Sequence, residues 1–297
     1  MDHVSDSRAG VARAVPLAPG LWFVATPIGA ARDITLRALD ILLSAEVLVA
    51  EDTRTLRHLM EIHGLKPGDR PLIAYHDHNG AEARPRILRA LAEGRSVAYC
   101  SEAGTPVVAD PGYQLARAAI EAGHPVSAAP GPTAAIMALS VSGLPSDRFL
   151  FAGFAPPPAG ARARWIDEIG SIPATLILYE SPKRVHRLLG ELCEHWSEMR
   201  PAALCRELTK RFEEVRRGTL AELRDGIGDA AVKGEIVLVV GRPVAVAPEA
   251  VDVDAALAEA LGRLRVKDAA AEVAEAMGLP RRDVYQRALA MKNGPEE

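Results

Sequence analysis

Ser101-Glu102-Ala103-Gly104-Thr105-Pro106, with Asp110-Pro111-Gly112 just after it and Pro130-Gly131-Pro132-Thr133 further on, decides the fold. Both turn-rich stretches follow short apolar runs, Val97 to Cys100 and Pro125 to Ala128, and each leads into an apolar stretch of helical character. A loop leaving the carboxyl end of a parallel strand is where open α/β sheets bind ligands. These loops carry Gly, Pro and hydroxyl side chains without a GxGxxG pattern, so they fit a ligand laid against bare backbone better than a pyrophosphate.

Working outward, residues 20 to 140 alternate strand-like runs (Leu21 to Ala25, Val47 to Ala50, Leu72 to Tyr75) with helical patterns (Ile34 to Ser44, Thr53 to His63, Ala81 to Glu93, Tyr113 to Ala122). That alternation predicts right-handed βαβ crossovers and a parallel sheet covered on both faces, so the fold class is α/β. Ser142 to Asp147 is a turn-rich break. Beyond it, Phe149 to Phe154, Thr175 to Tyr179, Ala202 to Cys205, Glu213 to Gly218 and Glu235 to Val240 read as strands, some joined by short loops. They predict a second α/β domain with a mixed sheet. The expected organisation is a leader over 1–19, domains over 20–142 and 146–242, a linker over Pro243 to Pro248, and a helical tail over 250–297. In that tail Gly278-Leu279-Pro280 separates two short helices, as in a helix-turn-helix.

Of the 297 residues, 48% are hydrophobic and 25% charged, and the formal net charge is −4, which excludes the strongly basic whole-chain signature of many nucleic-acid binders. A polyanion would have to be met by local cations. Cys100, Cys193 and Cys205 stand in apolar contexts without metal-ligand spacing, which points to core thiols in a reducing compartment. The leader lacks a signal-peptide core and no apolar run reaches membrane-spanning length, so the expectation is a soluble cytoplasmic protein.

Polar groups gather after successive strands: Thr26-Pro27-Ile28-Gly29 with Asp33, Glu51-Asp52-Thr53-Arg54, and Tyr75-His76-Asp77-His78-Asn79. If strand ends share one edge, these converge on the crevice of the opening loops. Singly they have plainer readings: Asp33, Asp52, Thr53 or Asn79 as helix caps and Arg54 as a carboxylate partner. His76 and His78 would share a strand face and could ligate a metal, but no third well-spaced ligand accompanies them, and we assign none. In the second half, Tyr179-Glu180-Ser181-Pro182, Arg206-Glu207-Leu208-Thr209-Lys210-Arg211 and Lys233-Gly234-Glu235 would form a second wall. Lys210, Arg211, Arg216 and Arg217 are cations for phosphates. Further basic surface is expected from Arg162, Arg164, Lys183, Arg184 and Arg187, and from Arg263, Arg265, Lys267, Arg281, Arg282 and Arg287 in the tail.

In order and spacing, Ala25 to Gly29, Ala50 to Arg54, Tyr75 to Asn79, Ala103 to Pro106, Asp110 to Tyr113, Pro130 to Ala135, Ser142 to Pro145, Asp147 to Phe149, Tyr179 to Pro182, Arg206 to Lys210 and Lys233 to Glu235 resemble the ribosomal small-subunit RNA (cytidine-2′-O-)-methyltransferases of the tetrapyrrole methylase superfamily. The resemblance spans about residues 20 to 241. It implies a two-domain methylase, commonly a homodimer, with S-adenosylmethionine in the cleft between domains. The reaction implied is 2′-O-ribose methylation of a cytidine, cytidine 1402, of 16S ribosomal RNA at the decoding centre of the small subunit. Carried across, cofactor contacts fall on Pro27, Glu102, Gly104, Thr105, Thr133, Ala134, Tyr179, Leu208 and Gly234. Candidate bases are Asp52, His76 and Glu207, with Arg54 and Lys210 as orienting or phosphate-binding cations. The chain departs from the family pattern at Glu102, where Asp is usual, and at Ala30-Ala31, where Asn-Leu is usual. The rival readings are a sister methylase acting on a precorrin- or uroporphyrinogen-type tetrapyrrole, a metal-dependent hydrolase centred on His76 and His78, and a non-catalytic RNA-binding protein.

Overall fold

The computed structural model describes residues 12–108, 112–227, 233–243, 250–277 and 279–293. Residues 1–11 of the leader, Asp110-Pro111 and most of the Pro243 to Pro248 linker lie outside them. The chain forms two compact units, one up to Pro243 and one from Val244 onward.

The first unit holds two five-stranded sheets. Strands β1 (Gly20–Val24), β2 (Val47–Ala50), β3 (Leu72–Ala74), β4 (Ser96–Cys100) and β5 (Val126–Ala129) are parallel in the order β3-β2-β4-β1-β5. Alternate side chains feed two separate cores, as a strand's period of two requires. Val24, Leu48, Ala50, Ala98 and Cys100 pack under helices α1 (Leu36–Ser44) and α2 (Thr53–Ile62). Leu21, Phe23, Val49, Val97 and Tyr99 pack under α3 (Gly80–Ala92) and α4 (Gly112–Glu121). Val24 pairs in register with Cys100 and Ala129, and Ala50 with Cys100 and Ala74, so all five strands end on one edge. The connection after β1 leads to β2 and the one after β4 leads past β1 to β5. The two loops therefore part over β1 and β4, at a topological switch point.

Helix α5 (Ala134–Ser142) leaves β5 and ends at Gly143, whose φ of 77° makes the left-handed cap. The expected break at 142 falls just beyond it, yet α5 packs Ala135, Ala138 and Leu139 on the second sheet. Its sequence is apolar nearly all round, yet only the face with Ala135, Ala138, Leu139 and Ser142 is buried, and Ile136 on the other side is 44% exposed. That sheet comprises β6 (Phe149–Phe154), β7 (Thr175–Glu180), β8 (Pro201–Arg206), β9 (Glu214–Thr219) and β10 (Ile236–Val240) in the order β6-β7-β10-β8-β9. Only the β6–β7 pair is parallel, and the sheet is mixed as expected. Its other face is covered by α6 (Ala159–Gly170), α7 (Val185–His195) and α8 (Leu220–Ile227).

Several starts differ from the sequence reading. The pattern from Ile34 begins as a 3-10 turn, Ala31–Asp33, and α1 starts only where the Thr35 hydroxyl accepts from Ala38 N at 3.1 Å, so Thr35 and not Asp33 is the cap. Asn79 stands at the N-cap of α3 as expected but makes no side-chain capping bond; its side chain accepts from His76 N at 2.8 Å and donates to Ala74 O at 3.0 Å. Part of the leader is pinned: Arg13 N donates to the Asp40 carboxylate at 2.6 Å and Val15 N to the Ser44 hydroxyl at 2.9 Å.

The second unit contains α9 (Ala250–Leu261), α10 (Val266–Met277) and α11 (Arg281–Asn293). Val253, Leu257, Ala270, Val273, Val284 and Ala288 form its own core. Among the described residues no helix is long and apolar enough to cross a membrane.

Candidate functional site

The loops after β1, β4 and β5 are stitched into one ledge. Thr26 and Gly104 exchange backbone hydrogen bonds of 2.9 and 3.0 Å, the Ser101 hydroxyl donates to Gly104 O at 3.0 Å, and the Thr105 hydroxyl donates to Pro132 O at 2.9 Å. Gly104 has φ of 80°, a conformation that a side chain would strain. Gly131 lies so close to β1 that a Cβ there would stand 2.7 Å from the Ala25 methyl. Small residues here let three loops meet.

Between this ledge and the second sheet lies a cleft of about 680 Å³. Its walls include Pro27, Ile28 and Gly29 from the first loop, Glu102 to Thr105 from the second, Thr133 and Ala134 from the third, and Tyr179 to Pro182 with Gly234 to Val237 opposite. The Tyr179 hydroxyl accepts from Ala135 N at 3.1 Å, and its ring packs edge-on against Phe151 and Phe154, so the far wall is fixed to α5. Burial pushes the Tyr179 phenol up and keeps it neutral. Eight of the nine expected cofactor contacts line this cleft. Leu208 does not; it is buried beneath, in the core that holds Ile28.

The candidate acid–base groups stand elsewhere. Asp52 caps α2, accepting from Arg54 N at 2.7 Å and Thr55 N at 3.4 Å while also pairing with the Arg54 side chain at 2.8 Å. The Arg54 side chain and these amide bonds hold its carboxyl down to about 2. Such a group is a poor proton acceptor near neutral pH. The sign of its linkage follows: a carboxyl lowered by folding stabilises the fold above its ordinary pKa of about 3.9 and loses that contribution as pH falls towards 2. We expect the melting-temperature advantage of wild type over Asp52→Asn to shrink as pH is lowered from about 5 to about 2.5, which calorimetry would check.

Glu207 accepts from Glu235 N at 2.9 Å and from the Lys210 ammonium at 2.9 Å, and both depress its pKa. Lys210 also reaches Glu235 at 3.0 Å; partial burial alone would lower its pKa, but the two carboxylates raise it. It is a clamp between carboxylates on the cleft wall. His76 and His78 lie 6.1 Å apart, ring to ring, off the cleft lining. Among the described residues no group of three or more His, Cys, Asp or Glu is placed to hold a metal.

The cleft also contains residues that sequence reasoning did not assign individually. Glu51 accepts from Glu102 N at 3.1 Å, and Thr55, Val108 and Phe154 complete the walls. Glu51 lay within a recognised segment, but its neighbour Asp52 carried the stronger cap signal. The basic surface needs a correction: Arg162 is buried, bound to Glu191 at 2.5 and 2.7 Å and to the carbonyls of Pro156 and Pro157. It anchors the loop after β6 and offers nothing to a phosphate. Arg184 is bound to buried Glu180, Arg263 to Glu272 and Arg287 to Asp254.

Four carboxylates, Glu51, Glu102, Glu180 and Glu235, line the cleft, and no Lys, Arg or His stands among its described lining residues. With backbone amides and carbonyls at the ledge, this donor set fits a ligand that carries positive charge. Residues 20–224 match the family profile for Tetrapyrrole (Corrin/Porphyrin) Methylases, and residues 247–292 match the RsmI C-terminal HTH domain. The chain is 46% identical to ribosomal RNA small subunit methyltransferase I of Mesorhizobium japonicum over 94% of both chains. Against the protein of the same name from Xylella fastidiosa it is 42% identical, over 90% of this chain and 98% of that one. In fold it is similar to uroporphyrin-III C-methyltransferase from Thermus thermophilus complexed with S-adenosylhomocysteine (TM-score 0.52, 21% identity, covering 75% of this chain and 97% of that one). The chain belongs to the tetrapyrrole methylase family, in the group of the ribosomal RNA small subunit methyltransferases I.

Proposed function

We propose that this protein transfers a methyl group from S-adenosylmethionine to the 2′-hydroxyl of cytidine 1402 in 16S ribosomal RNA of the small subunit, acting in the cytoplasm as a homodimer. The observation that carries the reading is the cleft itself. Eight residues expected from the family resemblance meet there, with four carboxylates and no Lys, Arg or His among the described lining residues. When bound, S-adenosylmethionine supplies a methyl made electrophilic by its sulfonium. Overall the methyl would replace the hydroxyl proton, with S-adenosylhomocysteine as the product and the proton passing to solvent water.

The chain's own contribution is mainly alignment. The stitched ledge and the Tyr179 wall are rigid before the reaction, and positioning of this kind lowers barriers by roughly 7–11 kcal/mol in well-oriented systems. A general base adds a factor of about 10²–10⁴, and Asp52 and Glu207, held as anions by Arg54 and Lys210, are weak ones. Lys210 and Glu207 instead brace the wall at Gly234 and Glu235.

The test is incubation with methyl-labelled S-adenosylmethionine and either unmethylated small ribosomal subunits or uroporphyrinogen III. Label in the RNA alone is expected. Label in the tetrapyrrole alone would replace this reading with that of a sister methylase.

A further inference from the structure

An RNA strand is not drawn to this cleft by the charge of its lining, since four carboxylates and no Lys, Arg or His stand among the described lining residues. The contacts that deliver a ribose must therefore stand on its rim. One rim element is the turn between β8 and β9, residues 207–213. Lys210 in this turn bonds Glu235 of the cleft wall, and Gly234 of that wall packs on Glu207. On its other side the Thr209 hydroxyl accepts from Ala30 N at 3.0 Å, and Thr209 lines an adjoining groove of about 630 Å³ that shares Ile28 and Thr133 with the cleft.

This turn is rigid. Lys210 N donates to Glu207 O at 2.9 Å, Glu213 N to Lys210 O at 3.1 Å and Thr209 N to the Glu213 carboxylate at 2.5 Å. Glu207 and Thr209 hold φ of 52° and 65°, uncommon for residues with side chains and maintained here by those bonds. At its tip Phe212 is 64% exposed, more than any other Phe, Tyr or Trp among the described residues. The Arg211 guanidinium lies over one face of that ring, 5.5 Å from its centre, which leaves the opposite face for a base. Arg206, Lys210 and Arg216 are paired with carboxylates, whereas among the described residues Arg211 makes no ion pair. An exposed aromatic face beside an unpaired guanidinium, on a stiff support, is the combination that stacks unpaired nucleobases.

We propose that Phe212, with Arg211 beside it, is a stacking platform for an unpaired base of the RNA substrate next to the ribose in the cleft. The inference rests on the RNA-methylating reading above. Arg211 would meet the neighbouring phosphate.

The experiment measures affinity for unmethylated small ribosomal subunits, with KM and kcat, in wild type and in Phe212→Ala, Phe212→Leu and Phe212→Trp. Stacking on one aromatic is lost as about a 5- to 150-fold fall in affinity. We expect that fall, as a rise in KM, for Phe212→Ala and Phe212→Leu, while Phe212→Trp stays within about threefold of wild type. Affinity for S-adenosylmethionine, melting temperature and oligomeric state should not change in any variant. Wild-type binding by Phe212→Ala, or by Phe212→Leu, would overturn the platform. So would a loss that tracks dissociation of an oligomer, which would assign Phe212 to a contact between copies. A wild-type protein that binds S-adenosylmethionine but not the subunits would instead overturn the RNA reading, and the platform with it.

Discussion

Replacing Gly29 by alanine should lower affinity for S-adenosylmethionine at least about tenfold and destabilise the fold by about 1–3 kcal/mol. The added Cβ would stand 2.5 Å from Lys210 Cγ, 2.6 Å from the Thr209 hydroxyl and 3.1 Å from Leu208 O. None of these can yield cheaply. Lys210 is tied at its far end to Glu207 and Glu235, Thr209 is bonded to Ala30 N, and Leu208 O is backbone. The methyl would therefore push the 206–210 segment away from the first loop, and both cleft walls that rest on it, Gly29 and Gly234, would part. Calorimetric titration with the cofactor and urea unfolding would read the two effects separately. Unchanged affinity would mean that the first loop is not a cofactor wall.

The second large effect is expected at Arg200, far from the cleft. Its side chain is 2% exposed, donates to Gly241 O at 2.7 Å and Gly170 O at 2.9 Å, and lies 4.3 Å over the Trp196 ring. Burial lowers its pKa to about 10, so it stays charged at neutral pH and serves the carbonyls that end α6 and β10. Arg200→Ala would leave both carbonyls without that donor and open a cavity beside Trp196. Hydrogen bonds to a charged group contribute about 1.5–3 kcal/mol each, so a loss of about 3–5 kcal/mol is expected in urea unfolding. Arg200→Met keeps the stem on the indole and should lose less. A wild-type stability in Arg200→Ala would show that water replaces the guanidinium without cost.

How much of this was readable in the sequence depended on whether neighbouring residues in the chain carried the signal. β2 was read to the residue, because Val47 to Ala50 is apolar on both faces and bounded by polar residues. The convergence of the loops at 26–29, 101–106 and 130–133 followed from strand–helix alternation, which forces parallel strands to end together. The placement of α5 did not follow, because an all-apolar helix carries no mark of which sheet it covers. Arg162 looked like surface charge because its partner Glu191 is distant in sequence and joined only when α6 meets α7. Glu51 and Asp52 show the same limit at one-residue scale: adjacent carboxylates, one turned to the helix cap and the other to the cleft wall.

The most direct measurement is nuclease digestion and mass spectrometry of 16S ribosomal RNA from unmethylated small subunits after incubation with the enzyme and S-adenosylmethionine. The account predicts one added methyl, on the ribose of cytidine 1402, present with wild type and strongly reduced with Gly29→Ala. An unmodified RNA, or a methyl carried on a base instead of a ribose, would contradict it.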